Sequence, residues 1–349
     1  MNLLLISVKS DVAAGGIAVW TDYFLSHCHQ NGITCHLVNT EIIGRRTYTI
    51  RRRLWDEVVR TLRIWRDLKR QLKSHRYDAV YLNTSCGTYG LFRDTYLARL
   101  VRRRGIPLIT HYHCEIPYWV KRPLSIRCLG RLARMSTHNL VLCRNSHRFL
   151  EEHYGISSRK VPNFIHSRLL TETPPTPLGD IAEVVFVGQV TETKGAAELY
   201  EVARQLPTVH FTFIGDVSRT VAAWDKPTNV TLTGRLPHPQ VIDRLDHSDL
   251  FLLPSHTEGC SLALMEAMAR GLPAIATDTG ANAEMLDDGC GVVVEPQNVE
   301  AMMAAIRRLN DATLRREMGT KAVQRIRERY TNANVDILFQ IADDAVQSH

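Results

Sequence analysis

The stretch from Phe251 to Ala276 constrains the fold more than any other part of this 349-residue chain. Phe251-Leu-Leu-Pro-Ser255 is a short apolar run that passes into a loop. Glu258-Gly-Cys-Ser-Leu-Ala-Leu-Met-Glu266 then leads through a glycine into a helical pattern, and Ala267-Met-Ala-Arg-Gly-Leu-Pro-Ala-Ile-Ala276 supplies a helix end, a glycine C-cap and a second apolar run. Strand, glycine loop, helix, strand is a βαβ unit, and parallel strands joined this way belong to an open α/β sheet. The loop falls at the carboxyl edge of that sheet, where such folds bind ligands. Two carboxylates lie eight positions apart on it, Glu258 in the loop and Glu266 in the helix. At roughly 1.5 Å per helical residue they stand at most about 12 Å apart along the axis.

The same alternation runs through the rest of the chain. In the N-terminal half, strands are expected at Leu3–Val8, Thr34–Val38, Ala79–Leu82, Pro107–Thr110 and within Ser136–Cys143, with helices from Gly15-Gly16 to Gln30, Arg51 to Ser74, Tyr89 to Arg103 and Ser146 to Tyr154. Thr171-Glu-Thr-Pro-Pro-Thr-Pro177 reads as a linker, because its prolines cannot continue a helix or a central strand. Beyond it six strands are expected, at Glu183–Val187, His210–Ile214, Val230–Thr233, Leu250–Pro254, Ala274–Ala276 and Gly291–Val294, followed by helices at Val299–Leu309, Asp311–Tyr330 and Asn332–Val346. The reading is therefore two Rossmann-like domains, 1–170 and 178–331.

Charge separates the halves sharply. Residues 1–170 hold 28 Lys and Arg against 11 Asp and Glu, whereas residues 171–349 hold 15 against 25. Such a division predicts that the N-terminal half meets an anionic surface. The eight cysteines include no C-x-x-C pair, which favours reduced thiols over disulfides or zinc. Met1–Val8 is too short for a signal peptide and reads as the first buried strand, and no stretch reaches the roughly 20 apolar residues of a membrane span.

Together with Gly15-Gly16 after the first strand, His113 after the strand ending at Thr110, Phe186-Val-Gly188 with Lys194-Gly195, and Gly280, the Glu258/Glu266 segment resembles the retaining glycosyltransferases of family 4. The resemblance implies the GT-B fold, with two facing Rossmann-like domains and a C-terminal helix, 332–349, that returns to the first. It implies that Glu266 accepts hydrogen bonds from the ribose hydroxyls of a nucleotide and that Glu258 faces the donor sugar. Backbone N–H groups of Gly259, Cys260, Ser261 and Leu262 would face the sugar and diphosphate. The chemistry agrees, since vicinal diols need acceptors and a helix N-terminus offers oriented N–H groups to anionic oxygen. Gly15 and Gly16 would let the first helix meet a phosphate or the acceptor. Gly188, Gln189 and Lys194 would hold the diphosphate, with Gln189 standing where the family has arginine, so that Lys194 carries most of the positive charge. Arg235 would contact the base or the diphosphate. His113 matches the family's active-site histidine; His111 is expected to point to the opposite face, so that only His113 looks into the cleft.

The implied reaction moves a sugar from a nucleotide-diphosphate sugar, UDP-linked on frequency, to a lipid-linked or polysaccharide acceptor, as in the synthesis of lipopolysaccharide, O-antigen or capsule. No Asp-x-Asp occurs in the chain, so neither a metal nor a cofactor is expected beside the donor itself. The helix from Arg51 places Trp55, Val58, Val59, Leu62, Trp65 and Leu72 near one face among cations, the pattern of an interfacial helix. It predicts peripheral attachment at the cytoplasmic face of a membrane, with Arg102–Arg104, Lys121, Arg122 and Arg131 extending the patch. The competing reading is that this apolar face packs on the sheet. A sugar-nucleotide epimerase and a basic nucleic-acid-binding protein are the alternatives, but no helix-turn-helix, zinc finger or aromatic RNA-binding signature supports the second.

Overall fold

The computed structural model describes residues 1–9, 15–41, 54–175, 179–331 and 333–347. The elements are, in order, β1 (Asn2–Ser7), α1 (Gly16–Gln30), β2 (Thr34–Asn39), α2 (Leu54–Ser74), β3 (Ala79–Thr84), α3 (Thr88–Arg102), β4 (Leu108–Tyr112), α4 (Ile116–Trp119), α5 (Pro123–Met135), β5 (His138–Val141), α6 (Arg144–Tyr154) and β6 (Arg159–Lys160). They continue with β7 (Glu183–Val187), α7 (Ala196–Gln205), β8 (His210–Ile214), α8 (Arg219–Ala222), β9 (Val230–Gly234), α9 (His238–Asp246), β10 (Leu250–Leu253), α10 (Leu262–Ala269), β11 (Ala274–Thr277), α11 (Asn282–Leu286), β12 (Val292–Val294), α12 (Val299–Arg308), α13 (Ala312–Arg329) and α14 (Ala333–Gln347). The chain divides into two compact units, Met1–Asn163 with Ala333–His349, and Phe164–Asn332.

The first unit is built on a parallel sheet ordered β2-β1-β3-β4-β5-β6. Leu3, Leu4, Leu5 and Ile6 of β1 are all fully buried, because helices cover both faces and a central parallel strand can be apolar throughout. The final helix α14 belongs to this unit: Leu338 accepts a hydrogen bond from Tyr81 on β3, and Phe339 packs against Phe24 of α1.

Helix α2 carries two apolar stripes. Ile64, Leu68 and Leu72, spaced four apart, are buried in the core, whereas Trp55, Val58, Val59, Leu62 and Trp65 are exposed, Trp55 at 71%. Leu72 thus faces the core and does not join the tryptophans, because the helical repeat carries it round with Ile64 and Leu68. Lys69 lies over the Trp65 ring at 3.7 Å. Arg51, Arg52 and Arg53 lie outside the described residues.

The second unit has a parallel sheet ordered β12-β11-β10-β7-β8-β9. The chain starts at the centre with β7, builds outward through β8 and β9, then returns to the other side of β7 with β10. That reversal opens a crevice between the carboxyl ends of β7 and β10, the usual ligand position in open α/β sheets. The proline-rich stretch lies on this unit, with Thr171 N–H donating to Ala269 O and Pro174 and Pro175 beside Gly271. Among the described residues no helix is long and apolar enough to cross a membrane.

Candidate active site

Two glycines bring three loops together at the crevice of the second unit. Gly195, closing the loop after β7, has φ +78°, and a Cβ there would fall 2.3 Å from the Pro254 carbonyl oxygen at the end of β10. Gly280, after β11, has φ +57°, and its Cβ would lie 2.5 Å from the carbonyl oxygens of Glu258 and Gly259. Both positions need a residue that is at ease in the left-handed region and has no side chain. The Glu258 loop is therefore held from both sides, and backbone bonds from His256 N–H to Thr193 O (3.0 Å) and from Ala281 N–H to Gly259 O (2.9 Å) fix it further.

Within this frame the Lys194 ammonium donates to Glu258 Oε1 at 2.6 Å, and the Ser255 hydroxyl donates to the same oxygen at 2.7 Å. The two sequence-predicted residues meet across the switch point, one from the β7 loop and one from the β10 loop. Ser261 caps α10 by accepting the Leu264 N–H, and the Cys260 thiol turns inward toward Met285. At Cys260 it is thus the backbone, rather than the side chain, that is placed to serve a ligand.

Glu266 lies one turn into α10 and is 94% buried, with 6% of its surface exposed. His238 Nε2 sits 2.9 Å from its Oε1. A carboxylate only accepts, so this nitrogen carries the proton. The hydrogen bond with Glu266 raises the His238 pKa above the usual histidine value, against the opposing effect of burial. Arg235 pairs with Asp216 on the β8 loop, and Gln189 stands half-buried on the β7 loop. Behind the loop, His256 Nε2 donates to the buried Glu198 at 2.8 Å.

In the first unit, Gly15 precedes α1 without a side-chain cap, and the Ala18 N–H returns to its carbonyl at 2.8 Å. His113 follows β4, and the expectation that His111 faces the other way is wrong. Their ring centroids lie 4.2 Å apart, and both rings meet Trp20 of α1 edge-on. Residues two apart on an extended strand share a face, so both histidines belong to one cluster. His111 Nε2 lies 3.2 Å from Val161 O, and burial lowers its pKa to about 4. Burial, with His111 beside it, also holds His113 well below the usual histidine range, so both rings are neutral near pH 7. His113 Nε2 is buried with no hydrogen-bond partner among the described residues.

Sequence reasoning missed His238, Asp216, Ser255 and Trp20. His238 had a signal in Pro237-His238-Pro239, a histidine pinned between prolines directly after a strand.

Two family profiles cover most of the chain: glycosyl transferases group 1 over residues 176–325, and glycosyltransferase family 4 over residues 14–168. The putative teichuronic acid biosynthesis glycosyltransferase TuaC of Bacillus subtilis is 33% identical over 131 residues, which is 36% of this chain and 32% of that protein. The chain thus spans about a third of that relative's length in the match. Among solved structures, the sucrose-phosphate synthase of Thermosynechococcus elongatus aligns over 100% of both chains with a TM-score of 0.83 at 17% identity. HepE of Anabaena, solved in complex with UDP-glucose, aligns over 100% of both with a TM-score of 0.73 at 16% identity. The fold is that of the GT-B glycosyltransferases. The chain belongs to the family-4-like glycosyltransferases.

Proposed function

We propose that this protein transfers a sugar from a UDP-sugar to a lipid-linked or polysaccharide acceptor with retention of configuration, in the synthesis of a bacterial cell-surface glycan. The observation that carries the reading is the grouping at one sheet edge of Lys194, Glu258 and the buried Glu266. Glu266 accepts the ribose hydroxyls, and the N-terminus of α10 with Lys194 receives the diphosphate. Glu258 orients the sugar through its hydroxyls. As the bond from the anomeric carbon to the phosphate oxygen breaks, Lys194 offsets the growing charge, and the acceptor hydroxyl attacks from the same face and gives its proton to the departing phosphate. In the first unit, the neutral His113 is a candidate donor or acceptor of a substrate hydrogen bond. HepE, of the same fold, was solved with UDP-glucose, which supports a uridine donor.

The exposed stripe Trp55, Val58, Val59, Leu62 and Trp65 of α2, set among cations, supports peripheral attachment to the inner face of the plasma membrane. Titration calorimetry tests the donor reading: the protein should bind UDP, and Glu266→Ala should lose most of that affinity, since a charged hydrogen bond is worth about 1.5–3 kcal/mol. In the same preparations, anionic vesicles should retain the protein at low salt and release it at high salt. Undiminished UDP affinity in Glu266→Ala would remove the donor site from α10, and salt-independent behaviour on vesicles would remove the membrane surface.

A further inference from the structure

Glu266 is a carboxylate enclosed by its own helix, with Met265 and Ala267 buried on either side. A buried charge persists only when it is paired or hydrogen-bonded. Among the described residues its one hydrogen-bond partner is His238, at 2.9 Å on Oε1. Oε2 has no such partner and is not among the buried polar atoms that lack one, so it keeps contact with solvent. The histidine itself is fixed by its backbone. Pro237 sets φ at −57° just before α9, Pro239 occupies the first turn, and His238 opens the helix between them. Arg235, three positions earlier, is tied to Asp216. The turn from β9 into α9 therefore presents one imidazole at one place, aimed at the acid of a neighbouring helix.

We propose that His238 is a positioning residue for the donor nucleotide: its Nε2–H holds Oε1 of Glu266 and leaves Oε2 oriented to accept the ribose 2′- and 3′-hydroxyls. This rests on the donor reading above. Without His238 the carboxylate is free to rotate and loses the hydrogen bond that offsets its burial, so its preference for a diol falls while the reacting atoms, on other loops, are untouched. Two further observations fit. His238 is partly exposed, so it is not needed to fill the core, and its raised pKa keeps more of the ring in the protonated form that pairs best with a carboxylate.

The test is calorimetry on the full chain with UDP and with 2′-deoxy-UDP as probes. The unaltered protein should bind UDP at least tenfold more tightly than 2′-deoxy-UDP, a difference of about 1.4 kcal/mol. His238→Ala should weaken UDP by about tenfold and leave 2′-deoxy-UDP nearly unchanged, so that discrimination disappears. His238→Gln, whose amide can donate to the same oxygen, should restore most of it. In turnover assays the alanine variant should show a higher KM for the donor with kcat within about twofold of the original, since binding and not the chemical step is affected. An unchanged UDP to 2′-deoxy-UDP ratio in His238→Ala would overturn the inference and leave the donor reading standing. Failure of the unaltered protein to bind UDP at all would sink both.

Discussion

Two clusters, one beside the carboxyl edge of each sheet, differ in their electrostatics. In the second unit, each described functional donor meets an acid: the cations Lys194 and Arg235 pair with Glu258 and Asp216, and His238 and His256 each give a ring N–H to Glu266 and Glu198. In the first unit, the cluster at the end of β4 is neutral, two desolvated histidines against Trp20, with Ser7, Thr21 and Asn83 linked by hydrogen bonds nearby, while the charged Lys9 and Asp22 pair with each other after β1. Much of that unit's excess of cations lies instead on its outer surface, Arg99 over Tyr96 and Lys121 over Tyr118 among them. On the proposed function, the paired groups on the loop frame of the second unit would exchange partners with a charged, polyhydroxylated ligand, whereas the neutral aromatic cluster of the first would suit a group that reacts without bringing charge. The charge asymmetry visible in composition therefore does not describe the sites; it describes the outside of one unit.

The sharpest way to break this contrast is at Lys194. Lys194→Ala removes the cation that would compensate the leaving diphosphate and, among the described residues, leaves Glu258 with Ser255 as its side-chain partner. Loss of one preorganised donor of this kind costs on the order of 100-fold in rate. The expectation is a fall in kcat of that size with a smaller change in KM for the donor. A fully active Lys194→Ala enzyme would mean that the phosphate charge is met elsewhere, and the paired-ion account of the second unit would fail at its centre.

A pH experiment separates the units by sign. His111 has a native pKa of about 4 against about 6.5 in an unfolded chain, so between these values the unfolded state takes up a proton that the native state does not. Stability then falls as pH drops from 6.5 to 4, by about 3 kcal/mol in all, and His113 acts in the same direction. His238 does the reverse: its pairing contributes fully below about pH 6.5 and is lost as pH rises through its raised value. Hydrogen exchange measured at pH 7 and pH 5, corrected for intrinsic rates, should show β4 losing protection on acidification before β10 does. Earlier loss in β10 would place the acid-sensitive groups in the wrong unit.

The sequence made the scaffold readable because buried parallel strands are short apolar runs, and eleven such runs separated by helical patterns leave little freedom of architecture. β6 escaped because its two residues, Arg159 and Lys160, are both exposed and carry no apolar signal. α5 escaped because Arg127, Arg131 and Arg134 interrupt the stripe of Cys128, Leu129, Leu132 and Ala133 that it buries, although Pro123 marks its start. At the site, Glu258, Glu266 and Lys194 could be singled out from local context, since each sits beside a glycine loop or a helix start. His238 could not be paired with Glu266 that way. The two are 28 positions apart, and only the return of α9 beneath β7 brings them together. The two faces of α2 show the same limit: a helical pattern reveals that a face is apolar, and only packing shows whether it is covered.

The smallest expected effect lies at Gln189, and it sharpens the comparison rather than breaking it. The residue follows Gly188 on the β7 loop, where the family carries arginine, and its half-buried amide offers a donor without a charge. Gln189→Arg adds a cation to an edge where Lys194 and Arg235 each already meet an acid. The adjacent Val190 N–H donates to the Asp216 carbonyl, so the new guanidinium arises beside the loop that already holds the Asp216–Arg235 pair. With no ligand bound, Asp216 can share itself between two arginines at little cost, because both partners are partly exposed and such pairs are worth about 1 kcal/mol or less. With a diphosphate bound, the added charge faces an anion directly. Donor KM should therefore fall by a few-fold with kcat maintained, and the gain should shrink as salt is raised. A tenfold loss of donor affinity in Gln189→Arg would show that this loop selects for neutrality at position 189, and that Lys194 alone is the cation the site was built to carry.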